Sequence, residues 1–552
     1  MQLTPIHQVQ GQGLFSEYHG QVVALRGVVT GATRKGYFVQ DPEGDIEGSA
    51  SHGIFIFERK HRPPVGSLVQ VEGKVVNYEA GENGRPTTQV EERETRVIAE
   101  RGPEVKPLWL TAERVLVEPE ALASLLNSLE GMLVGVPAGA TFVAPSNPFG
   151  DYVLLPPDAE LVRTDQGGVL IDPDWPGRWL PGFRILNYAE APLVHVGAKL
   201  MEPVLGPLNF RASSYQIASA GPVRVSQAAL EIRPTSLQSE GTRVRVLTLN
   251  GFNLDAHKER ADQVTDPRRD VDDDVGDGRF AALAKAIVRD AANPEIVALQ
   301  EIQDGDGAEL SATVSAEHTL EQLIGAVRRA GGVDYAWADI PPEMGEDGGQ
   351  PGGNIRNAYL YDPAQVVLVE GSLQRLGDGA ECFDGSRKPL VARFRPTAGA
   401  GELELINVHL ASKRHQHSLF APEQPGFDPR LGQRVAQVEV IGVYLAKLRA
   451  AQVDYYVTGD FNDFEFSETL RTLVGDHSAN LVERVPLVQR YDYNHRGLSQ
   501  ALMHGVVSKR QLEGRTVQYE ILHANALEGI QPGRLGAKAS DHAYVIASLE
   551  LG

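Results

Sequence analysis

The chain has 552 residues, more than one hydrophobic core usually supports, so two to four domains are expected. Its 42% hydrophobic and 23% charged residues describe an ordinary globular composition, and 57 Gly with 34 Pro favour short strands and many turns over helical bundles. A net charge of −21 argues against binding phosphate polymers through bulk charge, a single cysteine (Cys382) excludes an intrachain disulfide or a thiolate metal cluster, and no stretch approaches a membrane helix.

In chain order, Val22 to Val29, Gly36 to Asp41, Gly53 to Phe57 and Gly66 to Val75 alternate apolar and polar residues, a spacing that predicts a small β-barrel. Tyr37, Phe55 and Phe57 lie beside Arg34, Lys35, Arg59, Lys60 and Arg62, a combination suited to stacking bases and meeting phosphates. Strand alternation assigns half of those aromatics to the core. Leu108 to Glu130 reads as a linker helix, and a second β-rich unit runs to about Ile232. Pro145, Pro148, Pro156, Pro157, Pro173, Pro176 and Pro181 argue against long central strands there.

From Arg243 the texture changes to alternating strands and helices. Strands are expected over Val244 to Asn250, Glu295 to Glu301, Asn357 to Tyr361, Leu390 to Phe394 and Leu403 to Leu410. Helices are expected over Arg279 to Ala292 and from about Leu431 to Arg449. Two sheets flanked by helices would bury all these faces. Asp270 to Asp277 reads as a solvated acidic loop, with an accessory calcium loop as the alternative.

The chemistry concentrates at strand ends. Gly459-Asp460-Phe461-Asn462-Asp463 follows the apolar run Tyr455-Tyr456-Val457, and Ser540-Asp541-His542 precedes Tyr544-Val545-Ile546. Asn250, Glu301 and His409 also end buried strands, and Arg387 lies just before one. Acceptor oxygens beside imidazoles suit a hard divalent cation and a phosphate ester. The pieces Leu247-Thr248-Leu249-Asn250, Asn293 to Glu301, Ser386 to Phe394, Asn407-Val408-His409-Leu410, Val457 to Asp463 and Ser540-Asp541-His542 occur in the order used by the deoxyribonuclease-I-like endonuclease/exonuclease/phosphatase superfamily. With the front barrel, which resembles an oligonucleotide-binding (OB) fold, the whole chain resembles a multi-domain bacterial extracellular nuclease.

That resemblance implies an OB-fold nucleic-acid-binding-like domain over 1–105, a linker helix and second β-rich accessory domain over 106–235, and an α/β four-layer (αββα) nuclease domain over 240–552. It implies Mg²⁺ or Mn²⁺ held by Glu301, with Asn250 and Asp541 as direct or water-mediated ligands; Ca²⁺ as an accessory ion comes from the alternative reading of the Asp270 to Asp277 run. Asp460 and Asn462 would position the scissile phosphate, the attacking water or a second metal. His542 would serve as general base or phosphate contact, and His409 as a donor. Arg387 would hold a nonbridging oxygen; Lys413 and Arg414 read either as contacts to a neighbouring phosphate or as an exposed basic loop, and Asn354 and Arg356 as facing the substrate groove. The substrate would be DNA or RNA. The family usually carries an Asp between Leu and His where this chain has Leu502-Met503-His504. Met503 would then deprive His542 of the partner that fixes its tautomer, unless another carboxylate such as Asp492 supplies it.

Three readings therefore stand: a metal-dependent nuclease, a phosphatase or phospholipid phosphodiesterase on the same fold, and a weakly active DNA-binding protein of surface or matrix. The resemblance implies an extracellular or periplasmic location. Residues 1–15 lack the basic start and apolar centre of a signal peptide, so the chain reads as cytoplasmic or already processed.

Overall fold

The computed structural model describes residues 1–45, 47–79, 85–219, 221–239, 242–399, 401–413, 419–421, 428–534 and 538–551; Arg414 lies outside them. Strands Val22–Thr33, Gly36–Gln40, Gly53–Phe57, Leu68–Glu79 and Pro86–Ala99 close into a barrel in the order first, second, third, fifth, fourth. Alternation sends Val23, Leu25, Tyr37, Val39, Ile54, Ile56, Val69, Val71 and Val90 inward. Tyr37 is thus a core residue, its hydroxyl bonded to Glu92 and Thr95, while Phe57 is half-buried under the Arg59 guanidinium.

The next unit is a nine-stranded sheet of short strands, the longest Val204–Arg211. In place of one linker helix, a short strand (Leu108–Trp109) and two short helices (Ala112–Val115 and Pro119–Ser128) lead into it. Pro119 sits in the first turn of the second helix, where a missing N–H costs nothing. The core of this unit accepts a residue from far along the chain. Phe420 packs edge-on against Tyr215, Trp179 and Phe210, at ring distances of 5.2, 6.3 and 6.3 Å.

The third unit contains a six-stranded and a seven-stranded sheet packed face to face. Helices Arg279–Lys285, continued by a π-turn to Asp290, and Glu317–Arg329 cover the first sheet. Helices Leu431–Ala450 and Glu468–Val474 cover the second, making four layers. Polarity rises along the inner faces in steps of two residues. Val246, Ala298, Leu405 and Tyr456 form an apolar level. One step on, Thr248 bonds Thr458 at 2.6 Å across the sheets and Gln300 donates to Asn407 at 2.7 Å. The step after that brings in Asn250, His409 and Asp460.

Candidate active site

Regular alternation would turn Glu301 away from this end, because Gln300 already faces inward. Glu301 adopts φ +55°, and the ladder slips between Leu299 and Ile302, a bulge that swings the carboxylate back between the sheets. Asn250 then donates to Glu301 at 3.2 Å and to Asp460 at 3.5 Å, while its own oxygen accepts the Phe252 amide at 2.8 Å. His409 Nε2 stands 3.6 Å from Glu301 and 3.7 Å from Asp460. Strands Leu403–His409 and Tyr455–Asp460 run parallel with His409 beside Asp460, so main-chain pairing sets this contact. Gly459 is required for that pairing: its φ is +140° and a Cβ would fall 1.9 Å from the Val408 carbonyl.

Asp460 Oδ1 accepts the Asn462 amide at 2.8 Å, a turn that puts Asn462 at φ +51°. Asn462 and Arg387 both donate to the Leu410 carbonyl, at 3.1 and 3.0 Å, pinning the peptide that follows His409. His542 precedes the strand Tyr544–Glu550, which pairs with Arg243–Leu254 in the first sheet, with Nε2 3.6 Å from Asp460 and Nδ1 2.9 Å from Asp492. Met503 stands in the cross-strand position beside Asp460 but packs with Ile521, Ala543 and Val545. The imidazole's carboxylate partner is therefore Asp492, which is fully buried and also accepts the Leu502 and Met503 amides at 2.8 and 3.0 Å. Tyr493 stacks on the other face of the His542 ring, 4.7 Å between centroids.

Electrostatics follow from crowding. Burial raises the Glu301 carboxyl, with Asp541 adding to it, and burial likewise raises Asp460. Burial opposes charging of His542, but Asp460, Asp541 and Asp492 outweigh it and push the imidazole up to about 10. Ligand atoms of Glu301, His409 and Asp460 lie within 4.8 Å of one another. Oxygen-rich donors whose mutual repulsion is relieved by positive charge fit a hard divalent cation. Glu301 and Asp460, with Asn250 beside them and Asp541 facing them, are the residues that would hold it.

Other expected residues are engaged elsewhere. Arg356 is buried in an ion pair with Asp339 at 3.1 Å and donates to the Asn354 carbonyl, so its fork does not point to substrate. Lys413 bridges Asp463 at 2.9 Å and Asp428 at 3.2 Å over the Phe464 ring. The aspartate run is not a solvated loop throughout. Asp274 is buried in an ion pair with Arg279, and ligand atoms of Asp255, Asp272 and Asp274 lie within 4.8 Å of one another. Arg279 also donates to the carbonyls of Gly251 and Phe252, at 2.6 and 2.7 Å, which draws the run inward. Sequence reasoning gave Tyr493 no role; its signal, an aromatic next to an acid two turns before a buried strand, is weak.

Residues 116–227 match a family model described as a domain of unknown function, DUF8508. No curated protein matches the chain. Solved structures with similarity over about 56% of the chain are endonuclease/exonuclease/phosphatase-fold proteins. A Bacteroides vulgatus endonuclease/exonuclease/phosphatase is 15% identical, with 100% of its chain covered and a TM-score of 0.33. The human Nocturnin catalytic domain with bound sulfate is 15% identical, with 94% of its chain covered and a TM-score of 0.37. D. rerio TDP2 complexed with a single-strand DNA product is 14% identical, with 98% of its chain covered and a TM-score of 0.34. The functional reading of this chain rests on its own residues.

Proposed function

We propose that the protein is a divalent-metal-dependent phosphodiester hydrolase acting on polynucleotide, DNA in the first instance, with Mg²⁺ or Mn²⁺ as the ion. One observation carries the reading: an imidazole tethered through Nδ1 to a buried carboxylate, its Nε2 turned toward the Glu301, His409 and Asp460 cluster. Asp492 accepts from Nδ1 and so leaves Nε2 free to take or give a proton at the reacting centre. Neutralising Glu301, Asp460 and Asp541 removes part of the field that holds the imidazole protonated, returning it toward the range of a working base. His409 offers a second imidazole to a phosphoryl oxygen or leaving group, and Asn462 offers an amide donor. A bound cation would supply charge stabilisation for the pentavalent phosphate.

We read the front barrel as an OB-fold. Its exposed rim of Arg34, Lys35, Arg59, Lys60 and Arg62 supports polynucleotide over a small phosphoester as substrate. The weakly active reading rests on Met503 and the acidic balance; the Asp492 contact to His542 answers the first of these and leaves the second. The deciding experiment digests circular DNA, linear DNA and RNA in parallel with Mg²⁺, Mn²⁺ or EDTA. Metal-dependent cleavage of at least one polynucleotide, lost in His542→Ala, is expected. Release of phosphate from small esters with every polynucleotide intact would overturn the reading.

A further inference from the structure

The two segments that present the Asp492–His542 pair have little regular structure of their own. Asp492 precedes a hairpin of two three-residue strands, Tyr493–His495 and Leu498–Gln500, too short to be stable alone. Among the described residues, the approach to His542 contains one four-residue helix, Ala524–Leu527, and irregular backbone. Buried main-chain groups must nonetheless be paired, and the accessory unit matched by the DUF8508 model supplies many of the partners.

At the hairpin, Val169–Leu170 adds a parallel third strand beside Leu498 and Ser499, and the Ile171 amide donates to the Ser499 carbonyl at 2.9 Å. Asp165 accepts from the Tyr491 hydroxyl and from Gln489, each at 3.2 Å, immediately before Asp492. Asn494 donates to the Val143 carbonyl at 2.8 Å. At the second segment, Ser146 exchanges bonds with Ile530, its hydroxyl donating and its carbonyl accepting, both at 2.8 Å. Val196 donates to the Leu527 carbonyl at 3.1 Å, and His195 Nδ1 accepts the Gly529 amide at 3.0 Å. At Gly529 a Cβ would fall 2.0 Å from the Val194 carbonyl, so the approach tolerates no side chain. Leu170, Val196, Tyr491 and Leu527 share one small apolar cluster across the seam. The segments also meet each other there, with His523 stacked on Tyr491 at 4.0 Å and the Ala543 amide donating to the Asp492 carbonyl at 2.6 Å.

We propose that the accessory unit is a splint for the catalytic imidazole: docked along this seam, it holds the hairpin and the 523–533 segment at the spacing that brings Asp492 onto His542. Asp165 and Ser146 are its positioning residues. They touch no reacting atom and act through Tyr491 and the backbone of Ile530. The proposal rests on His542 as the working group, and it gives the accessory unit a role in turnover.

The test uses the full chain with Asp165→Ala, Ser146→Ala, the double variant and Gly529→Ala. Steady-state DNA cleavage with Mg²⁺, hydrogen exchange over 488–503 and 525–545, and the ¹H–¹⁵N signal of the His542 Nδ1–H are measured. Expected are faster exchange in both segments, loss of the Nδ1–H signal, and a kcat at least about ten-fold lower with KM nearly unchanged, since a 1 Å misplacement can cost more than that. The single alanines, each removing contacts at one point of the seam, carry the test if the double variant fails to fold. An unchanged kcat and Nδ1–H signal with the seam opened overturns the splint, and so does a fall in kcat with the signal intact. If the wild type cleaves no polynucleotide, the functional reading fails, while the Nδ1–H signal still decides the splint.

Discussion

Two groups of carboxylates in the catalytic unit meet the same geometric test and differ in what faces them. Asp255, Asp272 and Asp274 converge as tightly as Glu301, His409 and Asp460. Around the first group the counter-charge is permanent: Arg279 is buried against Asp274 and fastens the carbonyls of Gly251 and Phe252, just after Asn250. The second group contains one imidazole, His409, and faces another, His542, and the charge of an imidazole is conditional. A guanidinium cannot give up its proton, so the Asp274 end of the first group is a permanent support for the Asn250 turn. The second group has imidazoles where the first has that guanidinium, and exchangeable protons, more than the number of acids, distinguish the two.

The comparison is broken most directly by Glu301→Ala or Asp460→Ala, which should lower kcat by about 10⁴-fold or more, whereas Asp272→Asn should leave it near wild type. Parallel steady-state kinetics on plasmid check the pair. Asp492→Asn presents an amide N–H to Nδ1 and favours the wrong tautomer, for an expected loss of about 10²–10⁴-fold in kcat with KM nearly unchanged. Arg279→Ala leaves Asp274 buried and uncompensated and should cost about 3–5 kcal/mol, read from urea unfolding, a larger effect on stability than on the rate of the folded fraction. The last expectation concerns pH dependence. Burial, then Glu259 and Asp274, push the Asp255 carboxyl up to about 9. The folded state thus holds a proton that the unfolded chain releases near pH 4, so stability falls as pH rises from about 4 to 9, by at most about 1.4 kcal/mol per unit for this group. Thermal melts of Asp255→Asn should show a flatter profile over that window than the wild type.

Much of the catalytic unit was legible because period-2 alternation and strand-end polarity are local signals. Thr248 to Asn250, Asn407 to His409 and Thr458 to Asp460 each carry their inward polar steps in three residues. What stayed hidden depends on partners remote in sequence. Arg356 and Lys413 look like phosphate ligands until Asp339, Asp428 and Asp463 come beside them. Asp492 could be named from the sequence as a substitute carboxylate for His542, but at 50 residues' separation no spacing rule decides that the two meet. The burial of Asp274 is decided by Arg279 five residues on, yet the same letters would serve an exposed turn. Glu301 was readable as an acid at a strand end; the bulge that turns it inward was not.

Phe420 adds a constraint on the order of events during synthesis. The accessory core closes around a ring encoded roughly 200 residues after its last strand, beyond four of the six strands of the first sheet of the third unit and four of the seven strands of the second. A chain emerging N-terminus first therefore cannot finish that core until the strand Leu403–His409 and the residues up to Phe420 have left the ribosome. Long-range closure of this kind slows folding and keeps Trp179, Phe210 and Tyr215 exposed meanwhile. Ribosome-stalled chains ending before Phe420 should accordingly be protease-sensitive across residues 106–235, and chains extended far enough to expose Phe420 should gain protection there in one step.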